Sequence, residues 1–187
     1  MFLGTSYAQD TTLPAHVNFS KVQSAWLDWQ NTERKKLGLA TYTGNSILQS
    51  SAQDRAEALK DMGTVTHQRK ASDGYYNYRS IKSRFGDHGV GFSDDSGTLF
   101  SESLGWGYYV CSKDDCTDSL IKAIKSTFTF FMNEKGKWSQ PHYKAIISKD
   151  FTSVGLGIAT IGKQYYLVSH YGRNIVKADS VKLAKLK

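Results

Sequence analysis

The stretch Pro141-His142-Tyr143-Lys144-Ala145-Ile146-Ile147, followed by Phe151-Thr152-Ser153-Val154-Gly155-Leu156-Gly157, decides how this chain is read. A histidine heads an apolar run, and the run leads into a strand punctuated by glycine. Val154, Leu156 and Ile158 alternate with Gly155 and Gly157, the period-two pattern of a strand with one bulky face and one bare face. A bare face lets another backbone approach closely. Ile161-Gly162-Lys163-Gln164 reads as a turn and residues 165–171 as the returning strand, so a hairpin is expected here.

Upstream, residues 117–134 read as a helix with Ile121, Ile124, Phe128 and Phe131 inward. Glu134 follows Phe131 at i+3 and so extends the buried stripe. Residues 98–109 alternate as a strand, which places Phe100, Glu102, Leu104, Trp106 and Tyr108 on one face. Further back, residues 20–36 predict a helix with the stripe Val22, Ala25, Trp26 and Trp29, opened by a capping box of Ser20 and Gln23 and stopped at Gly38. A second helix spans 45–62, with Ile47, Leu48, Ala52, Ala56, Leu59 and Met62 on one face and Gly63 at its end. A short helix is expected within 75–85, then a loop rich in Gly and Asp over 86–97. Helices first, then strands, a helix and a hairpin make an α+β sandwich rather than a doubly wound parallel sheet.

The 187 residues suit one domain, and an apolar share of 40% supports a core. The formal net charge of +7 favours an anionic partner such as a lipid surface or cell-surface polymer, although a solvated basic surface gives the same count. No groove-reading or RNA-binding motif occurs, so nucleic acid is not expected as a partner. No run of 18 or more apolar residues occurs, so the chain is not read as an integral membrane protein. Ser6-Tyr7-Ala8 is a small-x-Ala tripeptide like a signal-peptidase site, and residues 1–12 read as a leader remnant or a disordered N-terminus. Cys111 and Cys116 bracket four residues and can close as a local disulfide, which fits a secreted or extracytoplasmic setting, periplasm or cell surface.

Four polar residues interrupt this pattern. His67 follows the second helix, His142 heads the Tyr143–Ile147 run, and Glu102 and Glu134 each sit on an apolar face. An unpaired buried carboxylate is costly, and a cation or a protonated histidine offsets the cost. Two imidazoles with carboxylates suit Zn²⁺, Cu²⁺ or Ni²⁺. The spacing matches no linear metal motif, and histidines taken singly more often serve as hydrogen-bonded structural residues; His16, His88 and His170 show how easily histidines arise in this chain.

The same residues carry a resemblance. The stretch from Leu48 to His67, Glu102 within Phe100-Ser101-Glu102-Ser103-Leu104, the segment from Asn133-Glu134 through His142-Tyr143 to Gly155-Leu156-Gly157, and the run from Tyr165 to Asn174 occur in the order seen in the CAP superfamily. That group holds cysteine-rich secretory proteins, venom allergens, plant pathogenesis-related proteins and bacterial SCP-like domains. The resemblance implies a three-layer α-β-α sandwich with a central, mainly antiparallel sheet and a large cleft, formed by a single domain over residues 17–187. It implies that His67, His142, Glu102 and Glu134 line the cleft and hold a divalent metal, Zn²⁺ foremost. Pro141 departs from the glycine that commonly precedes the second histidine.

Three functions fit. One is a secreted module binding lipid or sterol, for which Tyr75, Tyr76, Tyr78 and Phe85 offer an aromatic surface. Another is a metal-assisted, peptidase-like hydrolase with Glu102 or Glu134 as general base. It lacks a nucleophile, since no GxSxG elbow occurs and alternation turns Ser101 away from Glu102. The last is a basic adhesion protein binding anionic polymers or membranes.

Overall fold

A computed structural model describes residues 16–93, 100–112 and 114–177. The leader reading of residues 1–12 lies outside the described residues. The helices are α1 (Phe19–Lys36), α2 (Ser46–Met62), α3 (Tyr78–Asp87), α4 (Thr117–Met132) and α5 (Pro141–Ile147). The strands are β1 (Thr43–Gly44), β2 (Val90–Phe92), β3 (Phe100–Tyr108), β4 (Ser153–Ile161), β5 (Gln164–Gly172) and β6 (Ile175–Lys177). The main sheet has the order β1-β4-β5-β3; only the short β1–β4 pairing is parallel. The α+β sandwich holds, with helices on both faces of the sheet.

The expected hairpin is β4–β5, closed by Gly162-Lys163 with Gly162 at φ +54°. Val154, Leu156 and Ile158 pack with Val22 and Trp26 of α1, Phe128 and Phe131 of α4, and Ile146 of α5. The bare face is covered by α2. A Cβ at Gly155 would stand 2.2 Å from the Gln49 backbone nitrogen, so the helix backbone rests directly on the glycines. Ala52, Ala56 and Leu59, all fully buried, complete that contact with Leu104, Ala159, Tyr166 and Val168. A third cluster joins Leu48, Ile81, Phe85, Val90, Phe92 and Phe100 beneath α3.

Several local expectations give way. α1 is capped by Asn18, whose side chain accepts from the Lys21 backbone, not by Ser20. Gln23, assigned to the capping box, instead donates to the Leu156 carbonyl at 3.1 Å. A longer-range partner thus outcompetes the local one. Met62 is 50% exposed, because it lies past the last contact of α2 with the sheet. The supposed loop over 86–97 holds the last turn of α3 and then β2, which pairs antiparallel with β6. α2 begins at Asn45 as N-cap and ends at Gly63 in the left-handed region, as read. Cys111 and Cys116 are disulfide-bonded.

Candidate functional site

Glu102 lies on β3 directly opposite His170 of β5, with both side chains buried. His67 enters from the segment after α2. Arg55 of α2 fixes that segment by donating to the carbonyls of Thr66 and, at 3.2 Å, Gln68. His67 Nδ1 then meets Glu102 Oε1 at 2.8 Å. Arg69 donates Nη1 to Oε1 at 3.1 Å and Nη2 to Oε2, and its Nη1 also reaches the His67 carbonyl at 2.9 Å. His170 Nε2 donates to Oε2 at 3.0 Å. Burial alone would raise the Glu102 pKa; the hydrogen bonds from His170 and His67 and the Arg69 charge outweigh it and hold the carboxyl well below the usual range. Burial lowers the His170 pKa despite the pull of Glu102, so this ring is neutral and donates through Nε2.

The second pair is built from the other layer. Glu134 is buried in the turn that follows α4, as its i+3 offset from Phe131 implied. Its Oε2 accepts from the backbone of His142 at 2.9 Å and Tyr143 at 3.2 Å, and its Oε1 meets His142 Nδ1 at 2.6 Å. Pro141 starts α5, where no amide donor is needed. The His142 ring stacks on Phe131 with centroids 4.1 Å apart and planes 3° apart.

Each imidazole is therefore held by a carboxylate on Nδ1. That selects the Nδ1–H tautomer and leaves Nε2 with the lone pair, the arrangement by which carboxylates orient metal-ligating histidines. Both histidines line one cleft of about 630 Å³, a size common for ligand sites. Its floor is the outer half of β3, from Leu104 to Tyr108, and its wall is α4 with Ser126, Thr127 and Phe130. The two glutamates stand behind the histidines, and every carboxylate oxygen already has a protein donor. Among the described residues no group of three or more His, Cys, Asp or Glu side chains is arranged to hold a metal ion. The protein's own contribution to such a site would be the two Nε2 atoms, with the remaining positions left to a ligand or solvent.

Gly105 and Gly107 keep the cleft open. A Cβ at Gly105 would stand 2.6 Å from Thr127 Cγ2, and one at Gly107 2.6 Å from the Tyr165 hydroxyl, which bonds Thr127 Oγ1 at 2.7 Å. Tyr75, Trp106, Tyr108 and Phe130 are exposed at the cleft, between 53% and 77%. Of the aromatic surface expected from Tyr75, Tyr76, Tyr78 and Phe85, only Tyr75 lines it. Phe85 is buried, and Tyr78 stacks on Phe100 at 4.3 Å.

His170 and Arg69 went unread as partners of Glu102. Residues Tyr165 to Tyr171 do not alternate between apolar and polar, so their pattern gave no face to His170, which sits between Ser169 and Tyr171 in a wholly buried run. Its pairing with Glu102 depends on strand register, which sequence alone leaves open.

The cleft, its two carboxylate-held histidines and the layered fold define a CAP domain. The family model described as the cysteine-rich secretory protein family matches residues 27–171, and the chain belongs to that family. The fold is similar to that of an outer surface protein from Borrelia burgdorferi, with a TM-score of 0.61 at 18% identity, covering 86% of this chain and 99% of that one. It is similar to an extracellular SCP-domain protein of Bacillus anthracis, with a TM-score of 0.56 at 17% identity, covering 82% of this chain and 41% of that one. It is also similar to the CAP domain of enterococcal PrgA, with a TM-score of 0.55 at 19% identity, covering 82% of this chain and 61% of that one. A search of curated proteins finds no match by sequence. Among the described residues no helix is long and apolar enough to cross a membrane.

Proposed function

We propose that this protein is a secreted or extracytoplasmic binding module whose cleft takes an amphipathic lipid, a fatty acid or sterol, beside a divalent ion on His67 and His142. The observation that carries the reading is the make-up of the cleft, which two Nδ1-fixed imidazoles line together with the exposed rings of Trp106, Tyr108 and Phe130. Exposed rings that face a cavity are stabilised when an apolar group displaces water from them. A Zn²⁺ bound there would supply a Lewis-acidic centre for a polar head group. Glu102 and Glu134 orient the rings, and their oxygens are already occupied by protein donors, which favours binding over hydrolysis. The outer-surface and extracellular descriptions of the similar structures support the setting.

The test has two arms. Titration of metal-free protein with Zn²⁺ is expected to raise the melting temperature, and the His67→Ala/His142→Ala double variant to abolish the rise. Displacement of a fluorescent fatty acid is expected in the wild type and to weaken in Trp106→Ala/Phe130→Ala. Failure of every fatty acid and sterol to bind the folded protein sinks the lipid reading. Retention on an anionic matrix lost with salt, without lipid binding, would favour the adhesion reading supported by the +7 charge.

A further inference from the structure

A second cavity, of about 210 Å³, lies behind Glu102, and none of its lining residues lines the cleft. It is bordered by the guanidinium-bearing residues Arg55, Arg69 and Arg84, with Ser51 and His170 alongside and a single carboxylate, Asp54. Asp54 is already engaged by His88 Nδ1 at 2.8 Å. Ser51 and Arg55 are one helical turn apart on α2 and face the same way. Three polar atoms of these lining residues, Ser51 Oγ, Arg55 Nε and His170 Nδ1, are buried and have no hydrogen-bond partner among the described residues. The residues bearing them are 1%, 7% and 1% exposed. Leaving such groups without partners is costly, so their gathering at one cavity points to a ligand that satisfies them together.

The donors define its chemistry. Arg55 Nε and Ser51 Oγ offer hydrogens to an oxyanion, and guanidinium groups match tetrahedral oxoanions. His170 behaves differently. Its Nε2 donates to Glu102, so the neutral ring presents Nδ1 as an acceptor. The ligand must therefore carry anionic oxygens and one acidic hydroxyl. We propose that this cavity binds a hydrogen-bearing phosphate, as inorganic phosphate or as a phosphate monoester. Like charges crowd Arg55, although Arg69 is paired with Glu102 and Arg84 with Asp87. Burial first, then the charges of Arg69 and Arg84, press the Arg55 pKa down to about 10, and a bound anion would relieve that repulsion.

Isothermal titration of the full chain with inorganic phosphate, glycerol phosphate, sulfate and a dialkyl phosphate tests the assignment. Titrated at about pH 6, where both still carry a hydrogen, phosphate and the monoester are expected to bind one per chain. Sulfate and the diester, which lack the acidic hydroxyl near neutral pH, are expected to bind at least about tenfold more weakly. Ser51→Ala and the surface change Arg84→Gln are each expected to weaken phosphate about tenfold; in phosphate-free buffer Ser51→Ala, which removes an unpartnered buried hydroxyl, is expected to raise the melting temperature and Arg84→Gln to leave it unchanged. Absence of binding by both phosphate and the monoester would mean that the cavity holds only water, and the proposal fails. Binding that is equal for sulfate, or indifferent to both substitutions, overturns it as well. Monoester binding without binding of free phosphate would leave the site assigned and name the ester as its source.

Discussion

Gly157 of β4 and Ala52 of α2 are in backbone contact: a Cβ added to Gly157 would stand 2.1 Å from the Ala52 carbonyl carbon. Neither backbone can yield without moving the helix off the sheet. Gly157→Ala is therefore expected to cost about 3 kcal/mol or more, at the upper end for overpacking. Gly38→Ala, in open space but at φ +66°, is expected to cost only about 1 kcal/mol. Urea denaturation of both variants measures the contrast, and equal losses would refute the contact.

Glu102 and Glu134 are expected to respond differently to neutralisation. Glu102→Gln leaves the Arg69 charge, whose side chain is only 5% exposed, without its counterion, at a cost of about 3–5 kcal/mol. Glu134→Gln keeps one acceptor oxygen and so loses either the bond to His142 Nδ1 or those to the two backbone amides, but strands no buried cation, and about 1–3 kcal/mol is expected. Chemical denaturation at neutral pH ranks the two; a larger loss for Glu134 would contradict the charge balance described.

Acid should destabilise the fold in two stages. His170 and Glu102 both have folded pKa values below their ordinary 6.5 and 4.5. In each case the unfolded chain binds the proton first, so stability rises with pH. The His170 contribution is complete above 6.5 and declines as pH falls below it toward the folded value. The Glu102 contribution declines only below 4.5. Urea midpoints followed from pH 8 downward are expected to fall from about 6.5 onward. The first stage should vanish in His170→Asn; a profile flat down to pH 5 would exclude it.

Reduction of the disulfide offers a further measurement. Cys111 and Cys116 close a loop with a sequence separation of 5 at the entrance to α4. Cys111→Ala/Cys116→Ala is expected to cost about 2 kcal/mol from the entropy returned to the unfolded chain. An unchanged denaturation midpoint would show that the crosslink adds no stability.

The hairpin, the helix closed at Gly63 and the meaning of Gly155 and Gly157 were legible because each rests on a local period or a single backbone preference. Glu102 and Glu134 stood out as exceptions to apolar faces, whereas His67 and His142 were singled out by their positions and by the family resemblance. Other contacts were not legible. Gln30 and Arg34, left out of the apolar stripe read for α1, are fully or nearly fully buried beside Val22 and Trp26. Arg34 is accommodated because it donates to the carbonyls of Ala40, Ile146 and Ser148, partners distant in sequence or in an irregular turn. Likewise, nothing in the pattern of residues signalled that His170 would meet Glu102 across two strands, since only the register of β3 against β5 brings them together.

The Arg34 bonds bear on His142 at the opposite end of α5. At its exit, this short helix is clamped by Arg34 and by the Tyr42 hydroxyl on Ala145, and at its entry by Glu134. The imidazole thus rides on a strut pinned at both extremities, its orientation fixed before anything arrives. Whatever docks beside it meets a finished surface, and association should spend little on rearranging the host.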